Sequence, residues 1–312
     1  MKRWFRSRRS IATPQRSIDP MLLDRRTPYH DESVPFVLLW SQKSGCTTLL
    51  TWFLAHAGQL DAAVAYGRWV HDYEREVMLR RPAQAEHLRD WLESGVPAFK
   101  LVRDPYQRAV SSYLSLLEIP DGATHDTLPM RAAIRRMVYG TDDVGYSFSF
   151  RQFLAWLETQ DIDLVDDHLA SQLTALDAEI DDLEYLRLES LADDLAAVER
   201  RFGLDHVDLG SLPQPPHHVQ RSAHRFADAS AIADLQPRIT IAEGPPLPHA
   251  DDFLAPDVVA SIERIYAADF AAFGHRRRSD AANATDALDV ADALDVANAP
   301  DVADAPDAAA PA

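Results

Sequence analysis

The sequence contains little that would stabilise a secreted or membrane-embedded protein. Cys46 is the single cysteine among 312 residues, which excludes an internal disulfide and makes a reducing cytoplasm the expected location. No apolar run approaches the roughly 20 residues that a membrane-spanning helix requires. The basic residues near the N-terminus are not followed by the apolar stretch of a secretory signal. We therefore expect a cytoplasmic protein without a transmembrane segment.

Basic residues are scarce outside the N-terminal segment. Lys and Arg number 31 against 49 Asp and Glu, and the formal net charge is −18. Residues 1–28 carry a net charge of +6, residues 280–312 carry −8, and the part between them carries −16. Proteins that bind nucleic acids generally present a basic face to the phosphates. The acidic body therefore predicts no nucleic-acid partner.

Composition divides the chain into one domain and two tails. Residues 1–33 are rich in arginine and are expected to form a disordered arm; the alternative is weak contact with an anionic membrane surface. Residues 278–312 run into repeats of Asp, Ala, Leu and Val without aromatic side chains, which predicts a disordered acidic tail. Residues 34–277 are long enough for one large α/β domain.

The domain begins with a stretch that predicts an anion-binding loop. Residues 36–40 form a short apolar run, typical of a strand buried on both faces in a parallel sheet. A polar loop with one glycine follows, and residues 47–57 then predict a buried helix that ends at Gly58. This order directs unpaired backbone N–H groups and the positive end of the helix dipole at whatever lies above the loop. We therefore predict a phosphate or sulfate cradle, the cradle loop, at residues 43–48, with Lys43 at its edge. Its further predicted contacts are Ser44, Gly45, Cys46, Thr47 and Thr48.

A second anion site is predicted about sixty residues further on. Residues 98–102 predict another short strand, and Arg103 follows at its carboxyl end. Asp104 is placed to cap a helix whose first residue is Pro105, a position where a missing N–H group costs nothing. Ser111 lies two turns along that helix. An arginine at the end of a strand and a helical serine can jointly hold a phosphate by charge-assisted hydrogen bonds. The alternative is a surface arginine beside an ordinary capped helix.

The two motifs resemble those of the sulfotransferases. The loop sequence Lys-Ser-Gly-Cys-Thr is similar to the family's 5′-phosphosulfate loop, usually written PKxGxT, although Gln42 stands where the family usually has proline. It differs from a Walker A loop, which has a second glycine and places its lysine after that glycine. The spacing from Arg103 to Ser111, with an Arg-Asp-Pro-Tyr-x-Arg core, resembles the family's 3′-phosphate site. The resemblance covers residues 35–275 and implies an α/β fold, in which a P-loop-like parallel sheet is flanked by helices in a single domain.

The resemblance also implies a co-substrate and the roles of its contacts. The donor would be 3′-phosphoadenosine 5′-phosphosulfate (PAPS), with its 5′-phosphosulfate in the cradle loop and its 3′-phosphate on Arg103 and Ser111. No metal is expected. Lys43 would neutralise the charge that grows on the bridging oxygen as the sulfuryl group leaves. Arg221 lies where relatives place a polar segment over the nucleotide, which makes it a further candidate phosphate contact; the alternative is an exposed arginine.

Sulfuryl transfer to a hydroxyl also needs a base, and histidine is the usual choice because its pKa lies near neutrality. Similar sulfotransferases have a histidine between the two phosphate motifs, which selects His71; the alternative is a solvated histidine on a helix surface. His56 and His87 also lie between the motifs, but His56 would point away from the anion. The segment 166–172 loosely resembles the family's Asn-x-His-Trp-x-Pro-Gln sequence, so His168 is a second candidate base or a contact to the acceptor.

Three more elements are predicted around these motifs. Ser149 can cap a helix that has one apolar face. A strand over residues 183–188 leads into a helix, and the resemblance gives Glu189 and Asp193 a structural role where the two meet. A single closing helix is predicted over residues 256–274.

The sequence therefore predicts an enzyme that moves the sulfuryl group of PAPS to a hydroxyl acceptor. Resemblance to the carbohydrate-sulfotransferase branch favours a sugar hydroxyl, on a glycan or a glycolipid. Two other classes stay open. A P-loop kinase-like phosphotransferase would use the same strand, loop and helix, although the chain lacks the Gly-Lys-Ser/Thr sequence of that class. A non-catalytic nucleotide-binding relative would keep Arg103 and Ser111 without a working base.

Overall fold

The computed structural model describes residues 26–67, 69–82, 84–117, 128–213, 228–237 and 248–280. The predicted basic arm up to residue 25, the candidate contact Arg221 and the predicted acidic tail from residue 281 lie outside these ranges. The described end of the arm packs on the domain, since Tyr29 is fully buried and exchanges backbone hydrogen bonds with Leu38. The described residues up to His275 belong to one compact unit.

Three short strands form a parallel sheet in the order β1, β2, β3. These strands are β1 Val37–Leu39, β2 Ala98–Val102 and β3 Glu184–Arg187. Every residue of β2 is buried, because this strand is paired on both sides and covered on both faces. Because the strands are parallel, the cradle loop, Arg103 and the turn Leu188–Ser190 all follow carboxyl ends at the same edge of the sheet.

Helices surround this sheet. They are α1 Cys46–His56, α2 Leu60–Tyr66, α3 Val70–Tyr73, α4 Gln84–Glu93, α5 Pro105–Leu117, α6 Leu128–Tyr139, α7 Phe150–Leu157, α8 Leu191–Phe202, α9 Ala229–Ala233, α10 Pro256–Ile265 and α11 Ala267–Phe273. A π-helical turn, Glu74–Met78, continues α3. Short 3₁₀ turns occur at Ala175–Glu179, Leu188–Ser190, Leu209–Ser211 and Ala250–Phe253. The predicted α/β fold with a parallel sheet flanked by helices is confirmed. Within the described ranges, no helix has both the length and the apolar character needed to cross a lipid bilayer.

Apolar side chains hold α1 against one face of the sheet and α4 against the other. The ring centroid of Phe36 lies 5.9 Å from that of Trp52 on α1 and 5.2 Å from that of Phe202 on α8. On the opposite face, Leu88 and Leu92 of α4 belong to a buried cluster with residues of β1 and β2. Because α1 begins where the cradle loop ends, this packing fixes the loop at the edge of the sheet.

A second core lies among α5, α7 and α10 and is centred on Tyr113. The Tyr113 ring lies 5.2 Å from Phe150 and 5.8 Å from Phe153, and its hydroxyl donates to the carbonyl oxygen of Phe148 over 3.0 Å. Ser149 caps α7 as the sequence predicts, and its side chain accepts a hydrogen bond from the backbone of the third helical residue. The helix that carries Ser111 is therefore packed along its length.

Two details differ from the sequence prediction. The closing helix is divided into α10 and α11, because the backbone at Tyr266 departs from helical geometry (φ −105°, ψ 31°); its hydroxyl donates to the carbonyl oxygen of Leu169 over 2.8 Å. At the start of α8, Asp194 and not Asp193 joins strand to helix. Its carboxylate accepts a hydrogen bond from the backbone N–H of Arg187 over 2.7 Å, whereas Asp193 is exposed.

Candidate active site

The cradle loop turns from β1 into α1 through two residues with left-handed backbone. Lys43 has φ +66° and Gly45 has φ +93°. A Cβ atom at Gly45 would lie 2.6 Å from Leu188 Cδ1, so both the backbone conformation and the available space favour glycine. No side chain caps α1, and its first turn holds no acidic residue. The first N–H groups of α1 therefore present the positive end of the helix dipole at the loop, as an anion site requires.

Side chains of the loop divide between building it and facing outwards. Ser44 is fully buried, and its hydroxyl donates to the carbonyl oxygen of Ser41 over 2.5 Å. The sequence predicts Ser44 as an anion contact, but the structure uses its hydroxyl to close the loop. Cys46, Thr47 and Thr48 are half-buried in the first turn of α1.

Arg103 is locked in place and contacts the cradle loop. Its backbone N–H donates to Gln172 Oε1 over 2.9 Å, and Gln172 Nε2 donates back to its carbonyl oxygen over 2.8 Å. Its guanidinium Nη1 donates to the carbonyl oxygen of Lys43 over 2.9 Å. Asp104 caps α5 by accepting from the backbone N–H of Gln107 over 2.9 Å, as predicted. The structure thus brings together two motifs that are sixty residues apart in sequence.

A second arginine, Arg108 on α5, lies close to the cradle loop. Ser111 is half-buried on this helix, and Arg108 is only 1% exposed. Arg108 Nε donates to the carbonyl oxygen of Gln42 over 3.0 Å, and Nη2 donates to that of Asp167 over 3.3 Å. Its Nη1 makes no hydrogen bond with the described residues. The guanidinium of Arg108 places a positive charge beside the loop, which favours an anion there.

His71 lies beside the first turn of α1 and is 6% exposed. Its Nε2 lies 3.1 Å from Thr47 Oγ1, and its Nδ1 is hydrogen-bonded to the carboxylate of Glu74. Burial by itself would lower the pKa of His71. Hydrogen bonds to the side chains of Cys46 and Glu74 outweigh that effect and raise this pKa to about 9. The predicted base is thus next to the cradle loop and paired with a carboxylate.

An aromatic surface adjoins this histidine. The half-buried ring of Trp69 lies 4.8 Å from the His71 ring, edge to face. The guanidinium of Arg75 stands 5.2 Å from the centre of the Trp69 ring and forms an ion pair with Asp72 at 2.6 Å. The Arg75 side chain is 54% exposed, so this surface continues to solvent.

His168 stands on an irregular segment whose backbone is held from several sides. Its Nδ1 lies 2.8 Å from Asp166 Oδ1, and its side chain is 36% exposed. Its carbonyl oxygen accepts from Ser112 Oγ over 2.6 Å, and the preceding carbonyl is the one that Arg108 binds. Through Arg108, the segment that carries His168 is joined to the cradle loop.

The other two histidines between the motifs have different surroundings. His56, at the far end of α1, lies 3.3 Å from the buried carboxylate of Glu199, and its ring packs against Trp52. His87 is exposed on α4, which covers the other face of the sheet. The expectation that His56 points away from the anion site agrees with its position.

Two residues near the site were missed in the sequence. Glu74 follows His71 by three positions, and this spacing on a helix places two side chains on one face. Gln172 ends the segment that contains His168, but its contact with Arg103 spans 69 residues and leaves no local signal. Among the described residues, no group of three or more His, Cys, Asp or Glu side chains could hold a metal ion.

Comparison with known proteins is informative at the level of the family. No curated protein and no solved structure matches the chain. A family model described as "Sulfotransferase family" matches residues 35–276, which include both anion motifs, His71, His168 and the closing helices. Since this match spans well over half of the sequence, the chain belongs to the sulfotransferase family.

Proposed function

We propose that this chain transfers the sulfuryl group of PAPS to a hydroxyl group of a carbohydrate acceptor. One contact carries the proposal: the guanidinium of Arg103 donates to the carbonyl oxygen of Lys43 over 2.9 Å. The arginine of one motif therefore touches the loop of the other at one edge of the sheet. A single nucleotide with anionic groups at both its 5′ and 3′ positions requires this arrangement.

The residues at this edge fit both ends of such a nucleotide. The N-terminus of α1 and the tight turn at Gly45 suit the 5′-phosphosulfate, since the turn lets the backbone approach an anion closely. Arg103 and Ser111 would hold the 3′-phosphate. ATP has no 3′-phosphate and would leave Arg103 without an anion to bind. When bound, PAPS supplies an activated sulfuryl group whose bond to the bridging oxygen breaks on transfer.

Catalysis would rest on positioning and on stabilisation of charge, by analogy with phosphoryl transfer. The ammonium group of Lys43 would stabilise the charge that develops on the bridging oxygen. Arg108, buried beneath the loop, adds a second positive charge without contacting solvent. The transferring group carries one negative charge, not two, so a metal clamp is less needed.

The proton of the acceptor hydroxyl would pass to His71. Its Nε2 already lies at hydrogen-bond distance from the Thr47 hydroxyl, which an acceptor hydroxyl could replace. His168 would be a second contact to the acceptor or a second base, and Asp166 orients its ring. Trp69 supports a sugar as the acceptor, because an aromatic ring beside the base can stack on the apolar face of a sugar.

Calorimetry with 3′-phosphoadenosine 5′-phosphate tests the proposal at Arg103. Arg103→Ala is expected to weaken binding of this nucleotide by about 10- to 100-fold, the usual size of a lost hydrogen bond to a charged group. Arg103→Lys keeps the charge but loses the planar fork, so intermediate affinity is expected. Equal affinity of wild type and Arg103→Ala would reject the proposal. Tighter binding of ATP than of the 3′-phosphorylated nucleotide would also reject it and would favour a kinase.

Trp69→Ala tests the acceptor side separately. We expect the KM for a sugar acceptor to rise by about 5-fold, which corresponds to the roughly 1 kcal/mol of one stacking contact. Nucleotide affinity should not change, because Trp69 is not predicted to contact the nucleotide. Trp69→Phe is the matched control. It keeps an aromatic ring, so its KM should stay close to the wild-type value. An unchanged KM in both variants would place the acceptor elsewhere.

A further inference from the structure

Glu74 is a buried carboxylate whose position the site described above does not yet explain. It is 3% exposed, and it begins the π-helical turn that follows α3. Moving a carboxylate out of water is unfavourable unless hydrogen bonds or a positive charge compensate. Its partner is Nδ1 of His71, one turn earlier. The fold therefore keeps a negative charge buried at the back of the histidine that borders the cradle loop.

We propose that Glu74 is a positioning residue for sulfuryl transfer, which holds His71 in the form that carries hydrogen on Nδ1 and turns its Nε2 toward the cradle loop. The inference rests on the proposed function, in which His71 takes the acceptor proton. It adds a residue that neither motif contains.

The geometry assigns different tasks to the two ring nitrogens. With Nδ1–H donating to Glu74, the lone pair of a neutral ring lies on Nε2, 3.1 Å from the hydroxyl of Thr47 in the first turn of α1. Only this tautomer leaves an acceptor site on the side of the cradle loop. The other tautomer, with hydrogen on Nε2, would place a donor there and would leave Glu74 without its hydrogen bond.

The reaction balances with these groups alone. The acceptor oxygen forms a bond to sulfur as the bond between sulfur and the bridging oxygen breaks, and the electron pair stays on the departing 3′,5′-bisphosphate. The acceptor proton moves to Nε2 of His71. Glu74 takes no proton in this step and stabilises the imidazolium that results. No oxidant, reductant or metal takes part.

Apart from burial, the pKa of His71 depends on Cys46 first and on Glu74 second. The titratable side chains that act on His71 are Cys46 from α1 and Glu74 from its own segment. Tyr29, from the segment before β1, faces Glu74 and Cys46, and its side chain is fully buried. Burial, followed by the charges of Glu74 and Cys46, raises the pKa of Tyr29 well above its usual value, so this phenol stays neutral.

The pH dependence of transfer follows from this arrangement. The base must be neutral, and the neutral fraction of His71 grows as pH rises toward its pKa of about 9. The wild-type kcat/KM should therefore increase with pH, reach half of its plateau near pH 9 and level off only above that pH. Glu74→Gln removes the charge that favours imidazolium, so the rise should occur at least one pH unit lower. The plateau should fall about 10-fold or more, part of the 10²- to 10⁴-fold that a placed base contributes.

Glu76→Gln is the matched control, because Glu76 carries the same charge two residues away but is exposed and accepts from Tyr66. It should leave the pH profile unchanged. Glu74→Asp keeps the charge and should move the profile less than Glu74→Gln. If the role of Glu74 were purely structural, Glu74→Gln would lower the midpoint of thermal unfolding but would not move the pH at which kcat/KM rises. That result would overturn the proposal.

A readout without transfer separates this proposal from the proposed function. NMR can follow the titration of the His71 ring in wild type and in Glu74→Gln. The titration should shift to lower pH in the variant. Calorimetry of nucleotide binding checks that the variant is folded. Should wild type bind the nucleotide but transfer nothing to any sugar, the proposed function fails, and the catalytic part of this inference fails with it. An unmoved His71 titration overturns the role of Glu74 alone.

Discussion

Replacing Lys43 by methionine is expected to lower the turnover number by about 10²- to 10³-fold, the range found when one preorganised donor to a developing oxyanion is removed. Affinity for 3′-phosphoadenosine 5′-phosphate should stay near the wild-type value. The reason is that the charge on the bridging oxygen develops only as the bond to sulfur breaks, so the ammonium group contributes more to the transition state than to binding. Initial rates with labelled donor and calorimetry with the product nucleotide measure the two quantities.

The backbone at Lys43 makes this substitution a sharp test. The carbonyl oxygen of Lys43 accepts from Arg103, and this contact does not depend on the side chain. The residue has φ +66°, which methionine adopts no less readily than lysine. Lys43→Arg is the control, because it keeps a positive charge but carries it on a planar guanidinium at a different distance from the backbone. If Lys43→Met weakened nucleotide binding as strongly as it lowered turnover, the lysine would act in uniform binding and not in catalysis.

The parts of the site that lie within one short stretch were predictable. A buried strand, a glycine turn and an apolar helix leave a strong local pattern, and β1, the cradle loop and α1 follow it closely. The same holds for β2, for the cap at Asp104 and for the cap at Ser149. In each case the signal is either hydrophobic periodicity or a side chain that bonds to backbone two or three residues away.

The contacts that join these stretches were not predictable in the same way. Ser44 stands at a variable position of the family motif, and whether its hydroxyl faces an anion or closes the loop depends on packing around Ser41. The hydrogen bonds of Gln172 to Arg103, and of Asp269 to the backbone of Gln172, connect residues separated by 69 and 97 positions. No periodicity records such pairs. A histidine and a glutamate three residues apart on a helix were visible, but nothing local indicates that both are buried.

The largest effect on stability is expected at Asp177, whose carboxylate pairs with Lys100 in the middle of β2. Lys100 is 1% exposed, and its Nζ donates to Asp177 Oδ1 over 2.6 Å, to Oδ2 over 2.5 Å and to the carbonyl oxygen of Gln172 over 2.5 Å. In Asp177→Ala, the buried ammonium group of Lys100 keeps one of these three acceptors, the neutral carbonyl oxygen of Gln172. Breaking a buried pair from one side costs about 3–5 kcal/mol, which urea unfolding at neutral pH would measure.

A double variant distinguishes the loss of the ion pair from the loss of packing. Lys100→Met combined with Asp177→Leu replaces both charges by apolar groups of similar size, and it should recover most of the stability that Asp177→Ala loses. If the double variant were as unstable as the single one, the cost would lie in the shape of the site and not in the uncompensated charge. The pair also bears on the proposed nucleotide site, because Lys100 holds the backbone of Gln172 while the Gln172 side chain holds Arg103. The double variant, which lacks the bond from Lys100 to Gln172, should therefore weaken binding of the 3′-phosphorylated nucleotide even where it restores stability, whereas Asp177→Ala keeps that bond and should affect this affinity less.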